Sequence, residues 1–235
     1  MSGSTTPSHD AGYSVIFDMD GVLVDNRKFH YRAWQKFAEK HNLPFDEARF
    51  TAELFGHTNP DILCGLFGRP LDGELGEKLA AEKESLYREL HRRKVRPAPG
   101  LVPLLKGLRR DGATLAVATV APRKNLDFVL DEAGLRPYFQ VLVDVSAVRR
   151  GKPDPEIYLK AAGLLARPPE RCIAVEDSRP GLQSARAAGM KVVAVTTTHE
   201  AADLAGADLI VPHFERVGAQ DIRNLVFRAD IKESS

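Results

Sequence analysis

The chain has 235 residues, 43% of them hydrophobic, with 33 basic and 32 acidic residues and a formal net charge of +1. That length allows one large domain or two modest ones with a real core, and the balanced charge leaves no global field pointing at nucleic acid. Two cysteines give no disulfide framework, no secretory signal pattern is present, and no apolar run approaches membrane-spanning length, so a cytoplasmic protein with no membrane partner is expected.

Residues 1–12 are rich in Ser, Thr and Gly and read as a disordered arm. The stretch from Ser14 to Asp25 is the one around which the chain is organised. Val15, Ile16 and Phe17 form an apolar β-forming run, and two carboxylates, Asp18 and Asp20, stand where it gives out, with Gly21 free to turn. In an open α/β sheet, ligands bind at the carboxyl ends of strands. A calcium loop is excluded, because its twelfth position, a bidentate Glu, falls on Phe29.

Arg27–Asn42 comes next as a helix, with Phe29, Ala33, Trp34, Phe37 and Ala38 at helical spacing. Further helices are expected over Phe45–Leu54, Asn59–Phe67 and Leu71–Arg93, broken by Gly56, Gly68 and Gly73. The basic clusters His91–Lys94 and Val148–Arg150 read as solvated helix ends. Val95–Gly100 makes a stiff connection.

Beyond it strands and helices alternate. Thr114–Thr119, Gln140–Val143, Cys172–Glu176, Lys191–Val195 and Leu209–Val211 read as strands. Helices fit Gly100–Arg110, Pro122–Ala133, Asp154–Leu165, Arg179–Ala188 and Ala219–Phe227. This rhythm predicts an α/β fold, a parallel sheet with helices on both faces, formed by residues 13–26 and 97–235. The helical block 27–96 is too large for a loop and is expected to be its own small domain.

Three later segments carry chemistry. Thr119 ends an apolar strand just before Pro122; it either finishes the strand on β propensity or, with nearby backbone N–H groups, cradles a phosphate. In Gly151-Lys152-Pro153-Asp154-Pro155 the prolines hold a lysine in defined geometry, and a Walker loop is excluded because Pro153 stands where Ser or Thr is required. Glu176-Asp177-Ser178 ends another apolar strand; it reads as a helix cap or, with Asp18 and Asp20, as the oxygen ligands that Mg²⁺ prefers.

Together these segments resemble the four motifs of the haloacid dehalogenase (HAD) superfamily of aspartate-nucleophile phosphotransferases, and the chain is similar from about Ser14 to Phe227 to its branch of β-phosphoglucomutases and sugar-phosphate phosphatases. The resemblance implies a doubly wound, Rossmann-like core with an α-helical cap inserted after the first strand. It implies Asp18 as nucleophile, Asp20 as acid and base, Thr119 as a hydrogen-bond donor to the phosphoryl group, and Lys152 as the neutralising cation. Asp177, with Glu176, would complete a Mg²⁺ site begun by the Asp18 carboxylate and the Asp20 backbone carbonyl. Many relatives carry another hydroxyl where this chain has Val120 and Ala121, which leaves backbone donors for the substrate there.

His30 either flanks the aromatic core stripe or, as in the mutases, couples substrate binding to alignment of the acid/base. The mutases grip a second phosphate with a Lys before Gly56 and an Arg three residues after it; this chain has Phe55 and Asn59, with Arg49 and His57 as possible substitutes. A Mg²⁺-dependent phosphatase of a small phosphorylated metabolite, a sugar phosphate above all, is therefore expected to act as a monomer. A phosphosugar mutase is the alternative, and a catalytically silent phosphate-binding module is the third reading. All require four strand tips to converge around Asp18.

Overall fold

In the computed structural model, residues 12–50 and 58–227 are described. Most of the arm over residues 1–12, the end of the helix expected over Phe45–Leu54, and the loop residues Phe55, Gly56 and His57 thus lie outside the described residues. The chain divides into two compact units, Asn26–Arg96 and the remainder on either side of it.

The larger unit is built on six parallel strands: β1 (Ser14–Phe17), β2 (Thr114–Ala118), β3 (Val141–Val143), β4 (Cys172–Glu176), β5 (Lys191–Val195) and β6 (Leu209–Val211), in the order β3-β2-β1-β4-β5-β6. The chain runs outward from β1 in one direction and returns to place β4 on its other side, the doubly wound arrangement. β1 and β4 are buried along their whole length, which is why they read as unbroken apolar runs rather than alternating ones. Ile16, Ala116, Ala174 and Val192 face one helical layer, from α7 (Glu156–Leu164) and α8 (Arg179–Ala187). Phe17 faces the other way and meets Phe139 and Phe214 edge-on at 5.9 and 6.5 Å. On the sheet's flanks run α5 (Leu101–Arg110), α6 (Arg123–Glu132) and α9 (Ala219–Phe227).

Element ends differ from the sequence expectations by a residue or two, for local reasons. Pro122 and Pro155 stand at the N-caps of α6 and α7 rather than inside them, because a ring without an N–H suits the first, unpaired positions of a helix. β2 stops before Thr119, whose hydroxyl turns back to accept the Ala121 N–H at 3.1 Å.

The smaller unit is helical: α1 (Arg27–Lys40), α2 (Glu47–Arg49), α3 (Asn59–Phe67) and α4 (Gly73–His91). Trp34, Phe37, Phe50, Ile62, Leu63 and Leu79 form its core. Gly73 opens α4 instead of breaking a longer helix, because the Asp72 carboxylate caps the Leu75 N–H at 2.7 Å. His91, expected at a solvated helix end, is buried: its ring stacks on Phe29 at 4.0 Å, while Arg92, Arg93 and Lys94 are exposed. Among the described residues no helix is long and apolar enough to cross a membrane.

Candidate active site

Parallel register decides where the site forms. Phe17 pairs with Val117 on β2 and with Val175 on β4, so the residues beyond them emerge side by side at the carboxyl end of the sheet. Asp18, Thr119, Glu176 and Asp177 are all buried there. The Asp18 N–H still donates to Val175 O at 3.0 Å, which ties the carboxylate to the central strand pair.

Lys152 enters from the segment before α7, not from a strand tip. Its ammonium donates to Asp18 Oδ1 at 2.7 Å, to Glu176 Oε1 at 2.6 Å and to Ala118 O at 3.2 Å, so all three of its N–H bonds are used. The segment is braced: the Glu156 carboxylate accepts the N–H groups of Arg149 and Arg150 at 3.0 and 3.1 Å, and Ser184 Oγ donates to Asp154 O at 2.6 Å. The fourth strand tip is that of β5. Just past it the Thr198 hydroxyl donates to Asp177 Oδ2, and His199 Nδ1 lies 3.0 Å from the Asp177 carbonyl; since a carbonyl only accepts, that nitrogen carries the proton.

Gly21, at φ +78°, serves two ends. It takes the left-handed conformation that the turn after Asp18 needs, and a Cβ there would overlap the Asp177 carboxylate. Asp20, partly exposed, bridges to Val24 in the same turn. Val120 is 45% exposed beside Thr119. His30 belongs to the helical unit, where its ring stacks on Tyr87 at 3.9 Å and its Nδ1 lies 2.9 Å from Lys83 Nζ; it is part of an interior polar network there.

Charge dominates the site. Burial pushes Asp18 up to about 7 against the pull of Lys152, and burial together with Glu176 and Asp18 holds Asp177 well above the usual carboxylate range. Burial works to lower Lys152, but the carboxylates of Asp18 and Glu176 outweigh it and hold the ammonium above its ordinary value. One oxygen from each of Asp18, Glu176 and Asp177 lies within 4.8 Å of the others. Three buried carboxylates against one ammonium leave negative charge in excess, and the donor atoms are hard oxygens, so the residues fit a divalent cation such as Mg²⁺.

Four residues of the site are not singled out by the sequence reading: Tyr158, whose hydroxyl donates to Glu176 Oε1 at 2.6 Å, Gly181, where a Cβ would overlap the Glu176 carboxylate, Thr198 and His199. Tyr158 sits in the core stripe of α7 beside Ile157 and Ala161. The hydroxyl run Thr196–Thr198 after an apolar strand repeats the pattern seen at Thr119 and is the one clue that was available.

Residues 14–189 match the family model of haloacid dehalogenase-like hydrolases. The chain is 32% identical over 209 residues to a β-phosphoglucomutase of Bacillus subtilis, covering 84% of this chain and 88% of that protein. It is 29% identical over 212 residues to the chloroplastic 5-amino-6-(5-phospho-D-ribitylamino)uracil phosphatase of Arabidopsis thaliana, covering 90% of this chain but spanning only 57% of that protein's length. A crystal structure of a HAD hydrolase of family IA, variant 3, from Entamoeba histolytica superposes with a TM-score of 0.85 at 25% identity, over 91% of this chain and 99% of that one.

Proposed function

The chain belongs to the haloacid dehalogenase-like hydrolases, and from that premise we propose that it is a Mg²⁺-dependent phosphatase which hydrolyses a small phosphorylated metabolite, a sugar phosphate in the first instance, through an aspartyl-phosphate. The observation that carries the reading is the buried contact of Lys152 Nζ with Asp18 Oδ1 at 2.7 Å, beside two further carboxylates. An anionic nucleophile approaching an anionic ester needs positive charge around it, and Lys152 supplies the nearest.

The steps derive from that arrangement. Asp18 attacks phosphorus, the ester P–O bond breaks, and the phosphoryl group passes to Asp18. Asp20 gives its proton to the leaving oxygen, then accepts one from the attacking water. Water adds to phosphorus, the bond to the Asp18 oxygen breaks, and inorganic phosphate leaves with the carboxylate restored. The Thr119 hydroxyl and the Val120 N–H orient the phosphoryl oxygens. Asp18, Glu176, Asp177 and the Asp20 carbonyl would hold Mg²⁺, which supplies further neutralisation of phosphoryl charge when bound.

The competing reading is intramolecular transfer on a sugar phosphate, the activity named in the B. subtilis relative. Against it, the Asn59 amide, where the mutases carry Arg, donates to Glu84 at 2.8 Å, and the buried Lys83 ammonium is paired with the same carboxylate at 2.8 Å. The Asn59 amide is neutral and Lys83 is already paired, so of these two described residues neither offers a second phosphate a spare cation.

The test is a panel of phosphate esters and pyrophosphate, with phosphate release measured under Mg²⁺ and under EDTA, run beside conversion of β-glucose 1-phosphate to glucose 6-phosphate. Release that EDTA abolishes and that Asp18→Asn removes is the expected result. Sugar conversion without phosphate release would establish transfer instead.

A further inference from the structure

The Glu176 carboxylate is fully occupied by donors from the protein. Its Oε1 accepts Lys152 Nζ at 2.6 Å and the Tyr158 hydroxyl at 2.6 Å. Its Oε2 accepts the Asp177 N–H at 3.2 Å and Ser178 Oγ at 3.1 Å. Two carboxylate oxygens offer about four lone-pair sites, and four donors fill them. The residue has no solvent exposure, and a Cβ on Gly181 would overlap its carboxylate, so α8 packs directly against it.

Tyr158 touches both members of the pair it adjoins. Its hydroxyl bonds the same Glu176 oxygen that Lys152 bonds, and Lys152 Nζ stands 5.0 Å over its ring. The side chain is fully buried and belongs to the core cluster that also holds Ile16, Ala116, Ala118 and Ala174. A phenylalanine would fill that space equally well, and a buried hydroxyl is a cost unless it is bonded. Burial and the Glu176 carboxylate keep the phenol protonated and therefore a donor.

We propose that Tyr158 is a positioning residue: with Glu176 it fixes the Lys152 ammonium against Asp18, and the Glu176 carboxylate serves that lysine rather than the metal ion. The proposal rests on the phosphatase reading and departs from it at one residue, since it leaves the cation to Asp18, Asp177 and the Asp20 carbonyl. Without the phenolic donor, Glu176 Oε1 has a lone pair to spare and turns toward the nearest remaining positive charge, loosening the lysine from the nucleophile.

The experiment compares the full-length wild type with Tyr158→Phe, Glu176→Gln and Asp177→Asn. Turnover is followed with p-nitrophenyl phosphate and Mg²⁺, and Mn²⁺ binding to the resting proteins by electron paramagnetic resonance. Tyr158→Phe should lower kcat by about tenfold, the loss of one hydrogen bond to a charged group, with KM and Mn²⁺ affinity at wild-type values. Glu176→Gln should lower kcat likewise, with only the modest loss of Mn²⁺ affinity that removing a neighbouring charge brings, whereas Asp177→Asn should lose most of that affinity. A Tyr158→Phe enzyme with wild-type kcat overturns the proposal, as does a loss of Mn²⁺ affinity in Tyr158→Phe or Glu176→Gln matching that of Asp177→Asn. Should Tyr158→Phe not fold, Glu176→Gln carries the test by the same criteria. A wild type without Mg²⁺-dependent turnover refutes the phosphatase reading instead, and the Mn²⁺ titrations still decide whom Glu176 serves.

Discussion

Gly181 and Glu176 compete for one volume: a Cβ on the glycine would overlap the carboxylate. The glycine lies within the first turns of α8, where Ser178 accepts its N–H at 3.2 Å while donating to Glu176 at 3.1 Å. Helix propensity alone favours Gly181→Ala by about 1 kcal/mol. Overlap with a carboxylate held by four donors has the opposite sign and costs about 1–3 kcal/mol, so it wins. Gly181→Ala should lower the melting temperature and kcat together, and a stabilised, fully active variant would show that Glu176 has room to move.

Thr198 acts on the other carboxylate of β4. Its hydroxyl bonds Asp177 Oδ2, and groups that orient a metal-binding carboxylate contribute about 10–100-fold to metal affinity. Thr198→Val keeps the shape and removes the donor. Isothermal titration should give a Mg²⁺ affinity weaker by about tenfold, with the apo protein's unfolding unchanged. At a Mg²⁺ concentration of about 100 times its dissociation constant, the wild type should gain about 2.7 kcal/mol of stability. Asp177→Asn should abolish that gain.

These two residues also mark where sequence reading stops. Asp18, Asp20, Lys152, Glu176 and Asp177 could be picked out because each interrupts an apolar run or sits between turn-forming residues, a signal carried by immediate neighbours. The strands were visible for the same reason, since both faces of β1 and β4 are covered and their residues are uniformly apolar. Tyr158 gives no such contrast: it occupies a core position of α7, and only the third dimension reveals that its hydroxyl meets Glu176, 18 residues away. The buried pair Lys83 and Glu84 was equally hidden, because charged residues along a helix such as α4 ordinarily face solvent. Pairing between distant segments is set by packing, and packing has no local spelling.

Lys152 offers a test of charge balance with opposite signs in two measurements. Lys152→Met removes the ammonium and leaves Asp18 and Glu176 facing one another in the interior. Breaking a buried pair in this way costs about 3–5 kcal/mol, so the variant should unfold earlier than wild type in EDTA and lose turnover. The same change removes a positive charge beside the cation site, and Mn²⁺ should therefore bind more tightly than to wild type. Weaker Mn²⁺ binding would mean that the lysine organises the carboxylates for the metal instead of competing with it.

The helical unit carries a separate acid sensitivity. Burial, then the Lys83 ammonium and His91, push His30 down to about 3 from its ordinary 6.5, with Glu84 pulling the other way and Tyr87 stacked on the ring. The unfolded chain takes up a proton near pH 6.5 while the folded one declines it until about 3, so the unfolded state binds more protons in that window. The His30 contribution to stability should therefore fall as pH drops, by up to about 1.4 kcal/mol per unit. Glu84 adds to the loss only below its ordinary 4.5, because Lys83 overcomes the effect of burial and holds it at about 2. Between pH 6.5 and 4.5 the raised carboxyls of Asp18 and Asp177 contribute a slope of opposite sign, so the difference between wild type and a His30 variant, not the wild-type slope itself, reports the imidazole. His30→Phe keeps the stacked ring and removes the titration, and its unfolding free energy should fall less steeply than wild type by about one proton over that range. Parallel curves for the two proteins would mean that the imidazole is already protonated in the folded state, with Glu84 rather than Lys83 governing its charge.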